Sequence, residues 1–531
     1  MNEFAKRVLA LTAELVRIPS IDAEGQRKVA ARALAQLAAS PYFALRPEKA
    51  QLTSWGEGAD RLDSVFAVYD EPMKAGVADT VILCGHLDTV GVDKHIRKYG
   101  ADEALPFDPD RLPEWLARVF PADKELHADL ASGEWMCGRG AFDMKGGSAV
   151  ALELAKHLAQ CGFPWNVVLL LTADEETESR GIKSALPALA KLQQAGMKFR
   201  LLLNLDYTSA LTPGDANAYA YTGTIGKALI GLTVYGTETH AGAPFEGVNA
   251  AALLSAILAR LEGNQKLTQH VKGEFTPPPT ALSADARQPE YSVTTPAFGR
   301  ALLNVFFMHH THGEYLRLIT NEVRRACRLH ITDLKRRHRR MCAKANLDIG
   351  EKLVLPEVLT FATLRKRLED ALGKDEAAVV LRPPDGVTEP REACLRVVEL
   401  AAGKLDFQRP TVIVSVLPPF YAPYSAALHD DAKEVCAAVR KLAQDWRGDG
   451  FTPLKQRHFY PYISDMSFLA LPGDGKLTPL LENCPAQELL ALPRAELRLR
   501  MPVVNLGPLG KDAHRVAERV HMPFLALELP A

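Results

Sequence analysis

Five short stretches of this chain bring together the residue types that bind cations and move protons. They are "CGHLDTV", "GRGAFDMKGG", "TADEETESRG", "LLLNLD" and "GPLGKDAHRVAERV", and they carry His86, Asp88, Asp143, Glu175, Glu176, Asp206 and His514. His86 and Asp88 lie two apart and share a face of an extended chain. Asp88 can therefore hold the far nitrogen of the His86 ring, as the partners of metal-binding histidines do. Glu175 and Glu176 are adjacent carboxylates: exposed, they make an ordinary solvated helix start, whereas buried they need a cation. A mixed nitrogen and oxygen donor set without thiolates suits Zn²⁺, Mn²⁺ or Co²⁺ and argues against a structural zinc. One carboxylate can bridge two ions about 3.5 Å apart, the arrangement of two-metal hydrolases. One glutamate of the pair then binds a cation while its neighbour stays free to accept a proton.

The elements that must position these residues can be read from hydrophobic periodicity. Aliphatic runs at "TVILCGHLD" (80–88), "NVVLLLTADE" (166–175) and "RLLLNLD" (200–206) alternate with helical patterns such as "GGSAVALELAKHLAQCG" (146–162) and "IKSALPALAKLQQAG". This predicts strands buried on both faces of a mixed, largely parallel sheet flanked by helices, an α/β fold. The candidate residues follow the carboxyl ends of those strands, where open α/β sheets bind ligands. From residue 226 the pattern changes to separated strands, "KALIGLTVYG", "RALLNVFF" and "TVIVSVL", with more proline. The expected organisation is a catalytic domain over 1–225 and 426–531, with a smaller α+β domain inserted over 226–425. "PPFYAPYS", with Tyr421 and Tyr424, reads as the proline-stiffened return linker.

Composition narrows the function. The 531 residues are 47% hydrophobic and 24% charged, with a formal net charge of −1, so no global field recruits nucleic acid or anionic membrane. The basic run "KRRHRR" (335–340) has no interleaved aromatics for stacking and reads as a solvated helix face. The N-terminal "MNEFAKRVLALTAELVRIPS" has the charge pattern of an amphipathic helix rather than a signal peptide, and no stretch is apolar enough to span a membrane. Eight scattered cysteines without a CxxC pair are expected as reduced thiols in a cytoplasmic protein.

In this order, "HLDTV", "GRGAFDMKGG", "TADEETESRG", "LNLD" and "GPLGKDAHRVAE" resemble the M20 family of metallopeptidases and N-deacylases. "ELVRIPS" is similar to that family's N-terminal helix and turn, and "GTETHAGAPFEGVNAA" to its lid-domain signature. The length, "YPYISDMSFL" and "PPFYAPYS" are most similar to the RocB-like, arginine-utilisation branch. The resemblance implies two divalent ions, zinc first with cobalt or manganese as alternatives. His86 and Asp206 would bind one, Glu176 and His514 the other, with Asp143 bridging. Glu175 matches the general base, Asp88 the residue orienting His86, and His240 a lid histidine that steadies the oxyanion in dimeric members. His514 is preferred over His521 because Glu518 follows it by four, as in the family pattern. The inserted domain would serve as lid and dimerisation domain, and a homodimer is the family-based expectation. The implied activity is hydrolysis of an amide or peptide bond in a small molecule, an N-acyl amino acid or short peptide, by metal-activated water. An aminopeptidase on short peptides and a non-catalytic metal-dependent binding or regulatory protein are the rivals. Where many members carry an arginine for the substrate carboxylate, "GRALLNVFF" has Asn304 and Phe306, with Arg300 upstream.

Overall fold

Residues 3–16 form helix α1 because their apolar side chains recur at helical spacing. Ala5, Val8, Leu11, Leu15 and Val16 all face inward, and the Asn2 side chain caps the first turn by accepting from Ala5 N. Helix α2 (Ala23–Ala38) is capped in the same way by Asp22. The computed structural model describes residues 2–531 apart from 213, 287–291, 310–311, 347–349, 447–449, 472–473, 491 and 493–498. The chain forms two compact units, the first comprising Met1–Thr224, Tyr424–Leu471 and Pro493–Ala531, the second Ile225–Pro423 and Pro472–Leu492.

The first unit is built on an eight-stranded sheet. Its strands are β1 (Ala50–Trp55), β2 (Leu62–Tyr69), β3 (Asp79–His86), β4 (Asn166–Thr172), β5 (Lys198–Asn204), β6 (Ala218–Tyr221), β7 (Leu454–Arg457) and β8 (Val503–Asn505), in the order β1-β2-β4-β3-β5-β8-β6-β7. The middle run β4-β3-β5-β8 is parallel, and β1 and β2 add antiparallel strands at one side. Every residue of β4 is buried, as expected of a strand covered on both faces. Helices α2 and α3 (Gly146–Cys161) pack on this sheet, α1 packs on α3, and all share one large apolar core with the sheet. Helix α4 (Arg180–Gln194) packs against β1 and β2. A smaller lobe covering residues 94–132 has its own core of Leu105, Leu112, Trp115, Leu116 and Leu126. That core also takes in Val516 and Ala517, from the segment that carries His514.

The second unit holds a five-stranded sheet in the order Thr280–Asp285, Phe298–Phe307, Gly226–Tyr235, Thr411–Tyr421, Glu357–Thr360. Helices cover it, among them the 34-residue His312–Ala345, on which Arg336, Arg337, Arg339 and Arg340 of the basic run are exposed. Residues 472–492 join this unit, an excursion the sequence does not announce. Its anchor is Asn483, whose carbonyl accepts from Val416 N at 2.8 Å and whose side chain accepts from Ala362 N at 3.1 Å. The prolines expected as a linker instead lie inside the strand Thr411–Tyr421, and Tyr421 is buried. The diprolyl stretch withdraws two N–H donors from the end of an otherwise regular ladder, and there the pairing register shifts. Among the described residues no helix is long and apolar enough to cross a membrane.

His95 ties the smaller lobe to the His514 segment, donating from Nε2 to Val516 O at 3.1 Å while its ring stacks on Trp115. Burial, with help from the Arg139 charge, pushes its pKa down to about 4 from the usual 6.5. An unfolded chain therefore binds one more proton than the folded one between those values, so this contribution to stability is complete above pH 6.5 and is lost as pH falls towards 4. Urea unfolding of metal-free protein between pH 7 and 4 should show a shallower acid loss in His95→Gln than in wild type, by up to one proton's worth of slope.

Candidate metal centre

His86, Glu176 and Asp206 stand at or just beyond the ends of strands of the first unit, whereas Asp143 and His514 come from turns. His86 is the last residue of β3, and its Nδ1 lies 3.1 Å from the backbone carbonyl of Asp88. The Asp88 carboxylate is 3.5 Å from the same nitrogen. Its stronger engagement is elsewhere: Oδ1 accepts from Glu175 N at 3.1 Å and Oδ2 from Glu176 N at 3.0 Å. Nδ1 thus has its own partner, and Nε2 of His86 faces Asp143 Oδ1 at 3.1 Å, the nitrogen that would be the donor to a metal once its proton is displaced.

Asp143 lies in the glycine-bounded turn before α3 and is fastened from a distance. Glu518 accepts through Oε1 from the backbone N–H groups of Gly140 (2.8 Å), Phe142 (3.3 Å) and Asp143 (3.2 Å). Its other oxygen pairs with Arg139, itself buried. The two Asp143 oxygens face different imidazoles, Oδ1 towards His86 and Oδ2 towards His514 Nε2 at 2.9 Å. His514 Nε2 is also 3.0 Å from Glu176 Oε1. Glu175 turns the other way, with Oε2 3.9 Å from His86 Nε2, and its Oε1 is buried without a hydrogen-bond partner.

Asp206 follows β5 in a turn that only glycines can flank. A Cβ on Gly147 would sit 2.0 Å from Leu205 O, and one on Gly507 2.0 Å from Asp206 O, closer than any real Cβ contact. The glycines of "KGGS" and "LGPLG" are thus spaces that let α3 and the chain after β8 close on this turn. Asp206 Oδ1 accepts from its neighbour Tyr207 N at 2.8 Å.

The arrangement brings His86, Asp88, Asp143, Glu175, Glu176 and His514 together. One donor atom each from His86, Asp143 and Glu176 lie within 4.8 Å of one another. Asp206 borders this group without a direct bond to it, close enough for the Asp143 charge to act on it. His240 belongs to the second unit. It is exposed, and its Nδ1 accepts from Gly242 N at 3.0 Å. Arg300, also in the second unit, is engaged by Glu392 at 3.0 Å and Glu399 at 3.2 Å.

The electrostatics state what such a group lacks. Burial, reinforced by Asp143, pushes the Glu176 carboxyl up to about 7 and the Asp206 carboxyl up to about 8, and Glu175 is raised well above the usual range. Asp143 is buried as well, but hydrogen bonds from His514 and His86 prevail and hold its carboxyl low. Hydrogen bonds to Asp143 and Glu176 raise His514 to about 10. Protons are occupying positions that a divalent cation would take over. The donor set fits that role: imidazole and carboxylate atoms converge, and each Asp143 oxygen serves a different histidine. Glu518, Arg139 and Asp465 support the site without having been assigned a role from sequence. For Glu518 a signal existed in its spacing from His514. The motif containing Asp465 stood out only as a likeness.

Known proteins are similar to this chain in sequence and fold. Residues 82–473 match the model of peptidase family M20/M25/M40. Protein RocB of Bacillus subtilis (strain 168) is 28% identical over 540 residues, spanning 99% of this chain and 93% of that protein. A succinyl-diaminopimelate desuccinylase of Dinoroseobacter shibae is 27% identical over 336 residues, 61% of this chain and 75% of that one. The crystal structure of an M20 family metallo-carboxypeptidase, Sso-CP2 from Sulfolobus solfataricus, is similar in fold at a TM-score of 0.51 and 14% identity, covering 100% of this chain and 98% of that one. With a match across most of its length and a buried imidazole and carboxylate cluster at its strand ends, this chain belongs to peptidase family M20/M25/M40, whose members are metal-dependent hydrolases of amide bonds.

Proposed function

We propose that the chain hydrolyses the amide bond of an N-acyl amino acid or short peptide with two divalent ions in the first unit and Glu175 as general base. The observation that carries this reading is the Glu175 carboxylate. Its side chain is only 10% exposed, 3.9 Å from His86 Nε2, and its Oε1 is buried with no partner. An unpartnered buried carboxylate oxygen costs stability, and its place next to the ligand group suits a proton acceptor. The desuccinylase likeness supports an acyl amino acid, and the metallo-carboxypeptidase likeness is one of fold alone.

In this reading His86 and Asp206 hold one ion, Glu176 and His514 the other, and Asp143 both. Bound there, divalent ions act as Lewis acids and lower the pKa of water from 15.7 to about 7. The chain's own groups do the rest. Asp88 fixes the Glu175 backbone through its N–H, so the carboxylate is presented in one place. Glu175 takes the proton of the attacking water and returns it to the leaving amine nitrogen as the C–N bond breaks, a transfer worth about 10²–10⁴-fold. His240 accepts at Nδ1, which leaves its proton on Nε2. That tautomer donates a hydrogen bond, as stabilisation of the developing oxyanion requires. Zinc is the resident metal proposed first, with cobalt or manganese as alternatives that the same nitrogen and oxygen donors accept. A lid and dimerisation role for residues 226–425, a homodimer, a cytoplasmic location and a part in arginine utilisation complete the proposal. They rest on the family resemblance. Arg300 is already ion-paired, so a free substrate α-carboxylate has no reader there.

A panel of N-acyl amino acids and di- and tripeptides, arginine derivatives included, tests the reading. Glu175→Ala should lower kcat by about 10³-fold or more while metal content measured by elemental analysis stays at the wild-type level. Metal uptake with no turnover across the panel would instead favour a binding protein. Asp143→Ala should bind less metal, and retention of both ions would refute its bridging position. Prolonged chelation should abolish hydrolysis, and adding back Zn²⁺, Co²⁺ or Mn²⁺ singly should restore it and rank the metals.

A further inference from the structure

The turn Asp465–Leu469 is buried throughout and sits beneath the loop that carries the two adjacent glutamates. Asp465 Oδ2 accepts from Thr172 Oγ1 at 2.6 Å, and Asp465 takes a further hydrogen bond from the Ser179 side chain. Thr172 ends β4, and Ser179 is the residue before α4. One carboxylate thus touches both ends of the loop 173–178. Two neighbours of Asp465 extend the contact. The Phe468 ring lies 4.8 Å from Lys183 Nζ, which donates to Glu178 O at 2.8 Å. Ser464 Oγ accepts from Asn204 Nδ2 at 3.2 Å, at the end of the strand that leads to Asp206.

A carboxylate in this place is a poor choice for stability. Asp465 is 3% exposed, no ion pair joins it to a cationic side chain among the described residues, and Oδ1 has no hydrogen-bond partner. Burial accordingly pushes its pKa up to about 6. An apolar side chain would fill the same volume without that desolvation cost, so what the carboxylate adds is the geometry of its two hydroxyl partners.

We propose that Asp465 is a positioning residue for hydrolysis: by tying Thr172 to Ser179 it closes the loop 173–178 and sets where Glu175 stands relative to His86, Asp143 and Glu176. The kinetic half of this proposal rests on Glu175 being the base, whereas the structural half does not. Hydrogen exchange followed by mass spectrometry separates them. In Asp465→Ala, amides 173–179 should exchange about ten-fold faster than in wild type while those of β3 are unchanged. Asp465→Asn keeps an acceptor for Thr172 and should stay within about three-fold of wild type. Against a turned-over substrate, Asp465→Ala should lose about 10² in kcat, the scale of a 1 Å misplacement, with KM and metal content nearly unchanged. Asn should largely rescue it, and Thr172→Val added to Asp465→Ala should cost little more. Unchanged loop exchange in Asp465→Ala, or an Asn variant as impaired as Ala, would overturn the proposal. If Asp465→Ala does not fold, Thr172→Val and Ser179→Ala carry the same exchange comparison. A wild type inert across the substrate panel would sink the hydrolytic reading and leave the exchange result to decide the loop closure.

Discussion

Like charges confined in a poorly hydrated crevice dominate the first unit. Asp88, Asp143, Glu175, Glu176 and Asp206 converge where two imidazoles supply at most two positive charges, so the imidazoles can match at most two of the five negative charges. Two unit charges 4 Å apart interact by about 4 kcal/mol at an effective dielectric constant of 20. Several such repulsions at once exceed what a domain's marginal stability tolerates. The protein alone answers by retaining protons, which is why the Glu176 and Asp206 carboxyls rise to about 7 and 8. Divalent cations would answer it better, because they neutralise the same charges without protonating the carboxylates. Metal dependence is thus a consequence of the electrostatics of this crevice as well as of family membership.

The repulsion has to be held in place, and backbone groups do most of the holding. Asp88 takes the N–H groups of Glu175 and Glu176, Glu518 takes three from the Asp143 turn, and Asn505 donates to Asp206 O at 2.7 Å. Bonds from backbone N–H to a carboxylate are charge-assisted and do not depend on flexible side chains. Local strain is concentrated in the same loops. Of six described non-glycine residues with positive φ, four are Asp174, Ser179, Asp512 and His514, each within five residues of a candidate ligand. Such conformations cost about 1–3 kcal/mol each and persist only where surroundings impose them.

Much of this was legible in the sequence, and the reasons differ by residue. The aliphatic runs of β3 and β4 announced buried strands because both faces of a parallel sheet exclude water, whereas β5 is buried only at Leu202 and Asn204. That His86, Asp143, Glu176 and His514 gather in one place was readable because each falls in a short local motif. Residues 472–492 were not readable as part of the second unit, since the bonds of Asn483 to Val416 and Ala362 span more than 60 residues and leave no periodic trace. The same holds for Asp465, whose partner Thr172 lies 293 residues away. Non-local hydrogen bonds between single polar residues have no sequence pattern of their own.

Adjacent residues ordinarily share an environment, and Glu175 and Glu176 do not. Their N–H groups both point at one carboxylate, that of Asp88, so the backbone between them is pinned at two points about 3 Å from a fixed group. With the backbone pinned, the side chains leave in different directions. Glu176 reaches His514 at 3.0 Å, and Glu175 stops 3.9 Å from His86 with one oxygen unpartnered. The first geometry is the one the proposed ligand role needs, and the second is the one the proposed base needs. Two identical side chains take up two different environments because a third carboxylate, remote in sequence, fixes the peptide between them.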